Sequence, residues 1–123
     1  AVNRYCRLRD MYAGKGCISC GSRPEQRYGG TSDAGHFRSV GSAPHLRFLT
    51  SQIRLQCVKC NRYLSGNVSE YRRALVAERG AEWVEWLESL QGVAKWDEQY
   101  LIRLRRIAMK KALRLEKRHA MHG

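Results

Sequence analysis

The segments Cys17-Ile-Ser-Cys20 and Cys57-Val-Lys-Cys60 decide the fold of this chain. Each carries two cysteines three positions apart, and residues 21–56 separate the two pairs. Four thiolates complete the tetrahedral shell of a zinc ion and leave no position for a substrate. The spacing therefore predicts one structural zinc that clamps the intervening segment at its base. Two alternatives stay open: four reduced thiols without metal, and redox-active CxxC pairs, although no thioredoxin-like pattern accompanies them.

The cysteine count and the hydropathy pattern indicate the compartment. The chain has 5 cysteines, so Cys6 lies outside the two pairs, and an odd number fits metal binding better than a set of disulfides. No apolar run reaches the roughly 18–20 residues of a membrane span, and no signal-peptide pattern opens the sequence. We therefore expect a cytoplasmic protein without a membrane partner.

The charge is strongly positive and unevenly distributed. Lys and Arg number 23 against 11 Asp and Glu, which gives a net charge of +12. Residues 78–98 hold 2 basic and 6 acidic side chains, whereas residues 99–123 hold 8 basic and 1 acidic. A protein that is merely basic does not need this segregation. The distribution favours a polyanionic partner, and nucleic acid is the usual one.

Hydrophobic periodicity and turn residues predict short strands flanked by helices. A helix is expected over 2–11, a loop over 21–32, strands over 33–40 and 46–56, and helices over 61–64, 69–79, 82–90 and 98–119. Asp97 is a suitable N-cap for the last helix. The fold class is therefore α+β. Residues 1–68 form a zinc-bound core with its N-terminal helix, and residues 69–123 form a helical extension that ends in a basic helix.

Two of these helices have a defined apolar face. In the helix over 82–90 the residues expected to face inward are Trp83, Trp86, Leu87 and Leu90. In the last helix they are Leu101, Leu104, Ala108, Ala112 and Leu115. The remaining faces of the last helix are almost wholly cationic.

Polar residues at three positions accompany the cysteine pairs. The sequence Asp33-Ala-Gly-His36-Phe37 lies between the pairs, and Asn61 follows the second pair directly. Taken singly, a histidine on a strand is more often structural than catalytic, and an asparagine after CxxC can be only a helix cap. The order along the chain is more informative: a cysteine pair, a strand with Asp33 and His36, a second strand, then a cysteine pair with Asn61 opening a helix.

This order resembles that of the zinc-bearing HNH nucleases, also called ββα-metal or His-Me finger nucleases, such as phage endonuclease VII. The similarity is closer to the NinG/Rap recombination nucleases of lambdoid phages and covers roughly residues 3–80. The motifs that carry it are Cys17-Ile-Ser-Cys20-Gly21, Asp33-Ala-Gly-His36-Phe37, Leu46-Arg-Phe48, Gln56-Cys57-Val-Lys-Cys60-Asn61 and Ser65-Gly-Asn67 with Tyr71-Arg72. The resemblance implies a zinc-stapled ββα-metal core and a divalent-metal-dependent endonuclease that cuts branched recombination intermediates such as Holliday junctions and D-loops.

The resemblance also implies roles for single residues. His36 would be the general base, and Asn61 would be an oxygen ligand of a catalytic Mg²⁺ or Mn²⁺. The zinc would fix the angle between the strand and the helix that carry them. Phosphodiester hydrolysis needs a base for water and a cation for the phosphate and the leaving oxygen, and imidazole and hard divalent cations suit these tasks.

The sequence departs from the endonuclease VII pattern at one position. There an acidic metal ligand directly precedes the histidine, whereas Gly35 precedes His36 here and the nearest acid is Asp33. Residues three apart on a regular strand face opposite ways, so Asp33 joins the site only if Gly35 permits a bulge. Asp33 is retained as a candidate catalytic residue and metal ligand. Gln52 is a candidate for orienting His36, and Asn67 either completes the site or caps a turn.

The candidate DNA-binding residues lie beside the site and on the last helix. They are Arg38, Arg47, Lys59 and Arg62 in the first group, and Arg103, Arg105, Arg106, Lys110, Lys111 and Arg114 in the second. Such side chains hold the phosphate backbone, so recognition of shape is expected. A homodimer would suit the symmetry of a four-way junction. Two other functions stay open: a non-catalytic zinc ribbon that binds nucleic acid, and an adaptor that binds a protein through Trp83 and Trp86.

Overall fold

The computed structural model describes residues 1–23 and 32–122. Most of the loop predicted over 21–32 lies outside these residues. In chain order the elements are α1 (Val2–Tyr12), β1 (Ser32–His36), β2 (Ile53–Cys57), α2 (Val68–Arg79), α3 (Ala81–Ser89) and α4 (Glu98–His122). The α+β class is confirmed, since helices surround a small two-stranded sheet.

The sheet is a regular antiparallel pair. Ser32 lies opposite Cys57 at one end and His36 lies opposite Ile53 at the other, with one partner for every residue between them. The strands are shorter than predicted, because Pro44–Leu46 and Thr50–Gln52 form 3₁₀ turns instead of extended chain. The cause is a polar side chain: the buried Gln52 amide donates to the Leu46 carbonyl and folds this segment back over the end of β1.

On one face of the sheet, α2 contacts the strands and forms a core with α3 and with the segment that links β1 to β2. The buried residues of this core are Phe37, Ala43, Leu46, Tyr71, Leu75, Val84 and Leu87. The Tyr71 hydroxyl lies 2.8 Å from the carbonyl oxygens of Gly35 and Gln52, and burial raises the pKa of this phenol. The prediction that Trp86 faces inward is wrong, because half of its surface is exposed and Val84 takes the inward position.

The opposite face is covered by α1 and α4. Its core consists of Val2, Cys6, Ile53 and Ala108, with Tyr5, Ala34, Phe48 and Leu104 packed against it. The predicted cap of α4 is confirmed, since Asp97 Oδ1 accepts a hydrogen bond of 2.7 Å from the Tyr100 amide. Ala108 and Ala112 are buried as expected, whereas Leu101 is exposed. Because α1 packs against α4, the first and last helices of the chain lie side by side.

The outer edge of β2 is occupied by side-chain and main-chain groups. The buried Asp10 carboxylate accepts from the Leu55 amide at 2.8 Å, and the Ile18 amide donates to the Leu55 carbonyl at 2.9 Å. Arg9 donates to the Ile53 carbonyl at 2.6 Å. These bonds occupy backbone groups that the outer edge of β2 would otherwise leave unpaired. They also fix α1 and the turn of the first cysteine pair against β2.

An ion pair between the buried Arg54 and the more exposed Glu78 joins β2 to α2. Arg54 Nη1 donates hydrogen bonds to both carboxylate oxygens of Glu78, at 2.8 and 2.7 Å. The Arg54 side chain is almost fully buried. Burial alone would raise the pKa of Glu78, but the hydrogen bonds from Arg54 lower it overall. Within residues 1–23 and 32–122 no helix is both long and apolar enough to cross a membrane.

Candidate metal centre and nucleic-acid interface

The four paired cysteines form one cluster. The sulfurs of Cys17, Cys20, Cys57 and Cys60 all lie within 4.8 Å of one another. The first pair sits in a tight turn in which the Gly21 amide donates to the Cys17 carbonyl at 2.8 Å. The prediction that these residues meet is confirmed, and the cluster could bind a metal such as zinc.

The second pair bridges β2 and α2. Cys57 ends β2, and Cys60 lies in the π-helical turn Lys59–Tyr63, from which its amide points at the Cys57 sulfur at 3.4 Å. Asn67, in a left-handed conformation at the start of α2, donates its side-chain amide to the Cys60 sulfur at 3.5 Å. The Asn67 side chain therefore supports the cysteine cluster, and it makes no capping hydrogen bond to α2.

The thiols differ in acidity. A hydrogen bond with the Ser22 hydroxyl lowers the pKa of Cys20 to about 6, whereas burial raises the pKa of Cys60 to about 12. A cation that binds the cluster must displace the protons, and its charge makes four adjacent thiolates tolerable. Cys6 is separate: burial raises its pKa to about 11, and it packs in the core between α1 and α4.

Gly35 allows a close contact and does not form a bulge. The regular register of β1 and β2 leaves no extra residue, and a Cβ at Gly35 would collide with the side-chain amide of Gln56. This amide crosses Gly35 and donates to the Ser19 hydroxyl at 2.9 Å and to the Gly66 carbonyl at 2.6 Å. Gln56 thus links the turn of the first cysteine pair to the segment that follows the second.

Asp33 and Asn61 lie together. Asp33 Oδ2 accepts hydrogen bonds from Asn61 Nδ2 at 2.9 Å and from Arg62 Nε at 3.0 Å, and Asp33 Oδ1 accepts from Arg62 Nη2 at 3.0 Å. They line a surface cavity of about 450 Å³ together with Ala1, Asn3, Arg4, Arg7, Ala34 and Arg62. The cavity combines one carboxylate with three guanidinium groups, so it suits an anionic ligand. Arg4 also contacts Glu116 of α4.

His36 lies apart from this cluster. It pairs with Ile53, which packs towards α1 and α4, whereas Asp33 pairs with Gln56 on the opposite face. In the described part of the chain no hydrogen bond joins His36 to Asp33 or Asn61. The structure therefore brings together two of the three candidate catalytic residues.

A main-chain group, and not Gln52, contacts the His36 ring. His36 Nε2 lies 2.9 Å from the Arg47 carbonyl oxygen. Gln52 acts one step away, because its amide binds the main chain of Arg38 and Leu46 and so fixes the segment that carries Arg47. A proton on Nε2 would be donated to this carbonyl, which leaves Nδ1 as the acceptor.

The candidate DNA-binding cations have different surroundings. Arg38 donates to the Leu87 and Leu90 carbonyls at 3.1 and 2.6 Å, so it holds the end of α3. Arg62 is engaged with Asp33. The remaining candidates are exposed on the surface: Arg47, Lys59, Arg103, Arg105, Arg106, Lys110, Lys111 and Arg114. The Lys111 ammonium group lies over the Tyr5 ring, 5.4 Å from its centroid, so it is directed towards α1.

The fold and the cysteine cluster define a class of protein: a basic α+β chain with a four-cysteine cluster that could bind a metal. The family model described as "NinG: Bacteriophage Lambda NinG protein" matches residues 1–119. The chain belongs to this family of phage proteins. It is 41% identical over 96 residues to "Protein ninG" of Escherichia phage lambda and 40% identical over 96 residues to "Protein ninG" of Salmonella phage P22.

The matched region is a large part of this chain and a smaller part of its relatives. It covers 78% of the chain and 44% of each of these two phage proteins, so the chain spans less than half the length of the relatives it matches. No solved structure matches the chain.

Sequence reasoning missed two supporting residues, Ser19 and Gln56. Both are buried polar side chains, and Gln56 lies in a strand whose neighbours are buried as well. A polar side chain that is buried in a strand usually has a hydrogen-bonding role. The sequence alone does not indicate that Ser19 and Gln56 are buried.

Proposed function

We propose that this chain carries an HNH-type nuclease core that cuts branched DNA recombination intermediates in the cytoplasm of the phage-infected host, with a structural zinc on the four cysteines and Mg²⁺ or Mn²⁺ as the catalytic cation. The observation that carries the proposal is the antiparallel hairpin that leads through the second cysteine pair into a helical turn, with Asn61 of that turn held against Asp33. This is the element order of a ββα-metal motif, closed by its metal site.

The Asn61 contact supports an oxygen-ligand role. Its Nδ2 donates to Asp33, so its Oδ1 remains the atom available to a hard cation at the cavity. Asp33 then acts mainly as a positioning residue for Asn61. For Asp33 to bind the cation itself, Arg62 must first leave its carboxylate, and a DNA phosphate is a suitable alternative partner for that guanidinium.

The His36 contact supports a base role. A backbone carbonyl on Nε2 selects the tautomer whose Nδ1 can accept a proton from water. His36 lies outside the Asp33–Asn61 cluster, so the proposal requires the scissile phosphate to lie between Nδ1 of His36 and Oδ1 of Asn61. The proposed zinc would hold the end of β2 against the helical turn, and β2 pairs with β1, so the distance between these two atoms would be fixed.

A specific observation favours the alternative function, a non-catalytic nucleic-acid-binding module. Both Asp33 oxygens already accept hydrogen bonds, and His36 Nε2 already has a partner. These hydrogen bonds give Asp33 and His36 structural roles that need no catalytic function. In that case the cavity and the basic surface hold phosphates without hydrolysis.

A cleavage gel separates the two functions. Labelled Holliday junction, D-loop and linear duplex are each incubated with no added divalent cation, with Mg²⁺, with Mn²⁺ and with EDTA. We expect incision of the branched substrates only when Mg²⁺ or Mn²⁺ is present. Zinc content is measured in the EDTA sample, because loss of zinc would unfold the protein and mimic a catalytic requirement. Tight binding without incision in every sample would leave the binding module as the function.

The last helix supplies a candidate surface for a second DNA arm. Its 25 residues span about 37 Å at 1.5 Å per residue, close to one turn of duplex DNA. Four exposed cations share the face opposite the buried Ala108 and Ala112: Arg106, Lys110, Arg114 and Lys117. Two chains in a C₂ dimer would present two such faces to a four-way junction.

Replacing Arg106, Lys110, Arg114 and Lys117 with alanine is expected to flatten the salt dependence of junction binding. Each lost phosphate contact lowers the slope of log K against log salt by roughly 0.9, so the largest change is about 3–4. Fluorescence anisotropy at several salt concentrations measures the slope. A variant with Arg106→Lys and Arg114→Lys keeps the charge and should keep the slope. An unchanged slope in the alanine variant would exclude this face from DNA contact.

A further inference from the structure

Three aromatic rings form a continuous stack on the side of the protein that carries His36. Phe48 and Trp96 meet edge to face with their centroids 5.2 Å apart, and Trp96 stacks on Tyr100 at 5.5 Å with an interplanar angle of 16°. The rings come from three segments: the loop before β2, the connection after α3, and the first turn of α4. Their contact therefore depends on the tertiary fold.

The stack begins beside the candidate base. The Arg47 carbonyl holds His36 Nε2, and Phe48 is the next residue along the chain. The Arg47 guanidinium lies over the Phe48 ring at 5.5 Å. The residue whose carbonyl contacts His36 thus also carries an exposed cation, and the next residue carries the first ring of the stack.

The outer part of the stack is not required for a core. Phe48 packs against the core between α1 and α4, but neither Trp96 nor Tyr100 belongs to either hydrophobic core. Tyr100 is 37% exposed and Trp96 is half-buried. A partly exposed stacked pair that is anchored through Phe48 in the core is a rigid surface on which a further ring can stack at little entropic cost.

We propose that Trp96 and Tyr100 form a stacking platform for an unpaired DNA base. This inference rests on the proposed function and deepens it: branched DNA exposes unstacked bases at the branch, and a base held here would position the adjacent phosphate near His36. Stacking on aromatic side chains is tolerant of sequence because every base has a π face. The platform therefore provides recognition of structure without recognition of sequence.

The charges around the platform fit a nucleic acid strand. The exposed cations Arg47, Lys95 and Arg103 flank it. Two acids, Asp97 and Glu98, lie at the same end of α4, but Asp97 is engaged in capping the helix. Each cation lies within three positions of one of the rings along the chain, and a strand whose backbone passes over a stacked base needs such cations for its phosphates.

The test measures stacking directly and does not use cleavage. In a variant with Trp83→Phe and Trp86→Phe, Trp96 is the single tryptophan of the chain. Titration with an oligothymidylate of about 16 nucleotides, without added Mg²⁺ or Mn²⁺, should quench its emission saturably. Trp96→Ala in the natural background should weaken oligothymidylate binding about 5- to 150-fold, which corresponds to the loss of one stacked base. Trp96→Phe should lose much less, because it retains a stacking ring.

Control measurements keep the outcomes distinct. Trp86→Ala removes a tryptophan of α3 that is more exposed than Trp96 and should leave oligothymidylate affinity unchanged. Affinity for linear duplex should be the same in Trp96→Ala and the parent, and circular dichroism and zinc content should show that both are folded. Unquenched Trp96 emission, or equal loss of single-strand and duplex affinity in Trp96→Ala, overturns the platform. Cleavage enters neither readout, so this failure is separate from failure of the nuclease assignment.

Discussion

Replacing Cys60 with serine is expected to abolish tight metal binding and to unfold the hairpin core. Cys60 is almost fully buried, and its sulfur lies with those of Cys17, Cys20 and Cys57. These four residues join the turn before β1, the end of β2 and the helical turn before α2. Without the fourth thiolate the site loses its closed shell, and the remaining cysteines cannot hold the three segments together.

The expected effect is large because metal binding and folding are coupled. Binding of a structural zinc contributes about 10–16 kcal/mol in small zinc domains, whereas the total stability of a domain is about 5–15 kcal/mol. The sheet has only two strands, so the hydrophobic cores alone contribute little to the free energy of unfolding. We expect Cys60→Ser to lack a cooperative thermal transition by circular dichroism and to contain far less than one zinc per chain by elemental analysis.

Cys6→Ser is the matched control. Cys6 is as buried as Cys60, but it lies outside the cluster. Its replacement should cost about 1–3 kcal/mol, the penalty of a buried hydroxyl, and should leave the zinc content at about one per chain. A metal-free Cys60→Ser protein that melts cooperatively near the parent temperature would contradict the stapling role. So would a parent protein that contains no zinc after purification in its reduced form.

The parts of the fold that were predictable depend on local chemistry. The cysteine spacing is sufficient to predict the cluster, and the Asp97 cap follows from the next residues along the chain. Two predictions failed because they depend on tertiary contacts. Residues 46–52 have strand-like composition, but the Gln52 amide folds them into turns. Trp86 has the helical spacing of a core residue, but Val84 and Leu87 pack into the core with α2, and Trp86 is exposed.

In the candidate site, too, local sequence predicts some features, and others depend on tertiary contacts. The proximity of Asp33 and Asn61 was predictable, because the second cysteine pair connects the helical turn directly to β2, which pairs with β1. The separation of His36 from Asp33 follows from the strand period of two, and only the unknown geometry of Gly35 left a bulge open. The position of Gly35 is determined by Gln56, 21 residues later, and by its bonds to Ser19 and Gly66. No local pattern contains that information.

His36→Ala is expected to lower the rate of junction cleavage on the order of 10²–10⁴-fold, the usual loss when a general base is removed. Affinity for the junction should stay near that of the parent, because a base acts in the transition state and contributes little to ground-state binding. The fold should also be preserved, since His36 belongs to neither hydrophobic core. Single-turnover rates with excess protein measure the chemical step.

Two further variants test the division of roles that the geometry suggests. Asn61→Ala should raise the Mg²⁺ or Mn²⁺ concentration needed for half-maximal rate, because it removes the proposed oxygen ligand. Asp33→Ala should have the same effect to a smaller degree, since Asp33 holds the Asn61 amide and faces away from His36. His36→Ala should instead lower the rate at saturating cation without shifting that concentration.

His119→Ala is the matched control for His36→Ala. His119 is exposed near the end of α4, far along the chain from the hairpin. Its ring stacks on that of Tyr12, with the ring centroids 4.1 Å apart. Its removal should leave the cleavage rate unchanged, so a loss confined to His36→Ala cannot be attributed to histidine removal in general. Parent-like cleavage by His36→Ala protein, purified free of contaminating nuclease, would end the base assignment. If Asp33→Ala then proved more damaging than His36→Ala, the catalytic centre would be the Asp33–Asn61 cavity alone, and the carboxylate would have to leave Arg62 before a cation could bind.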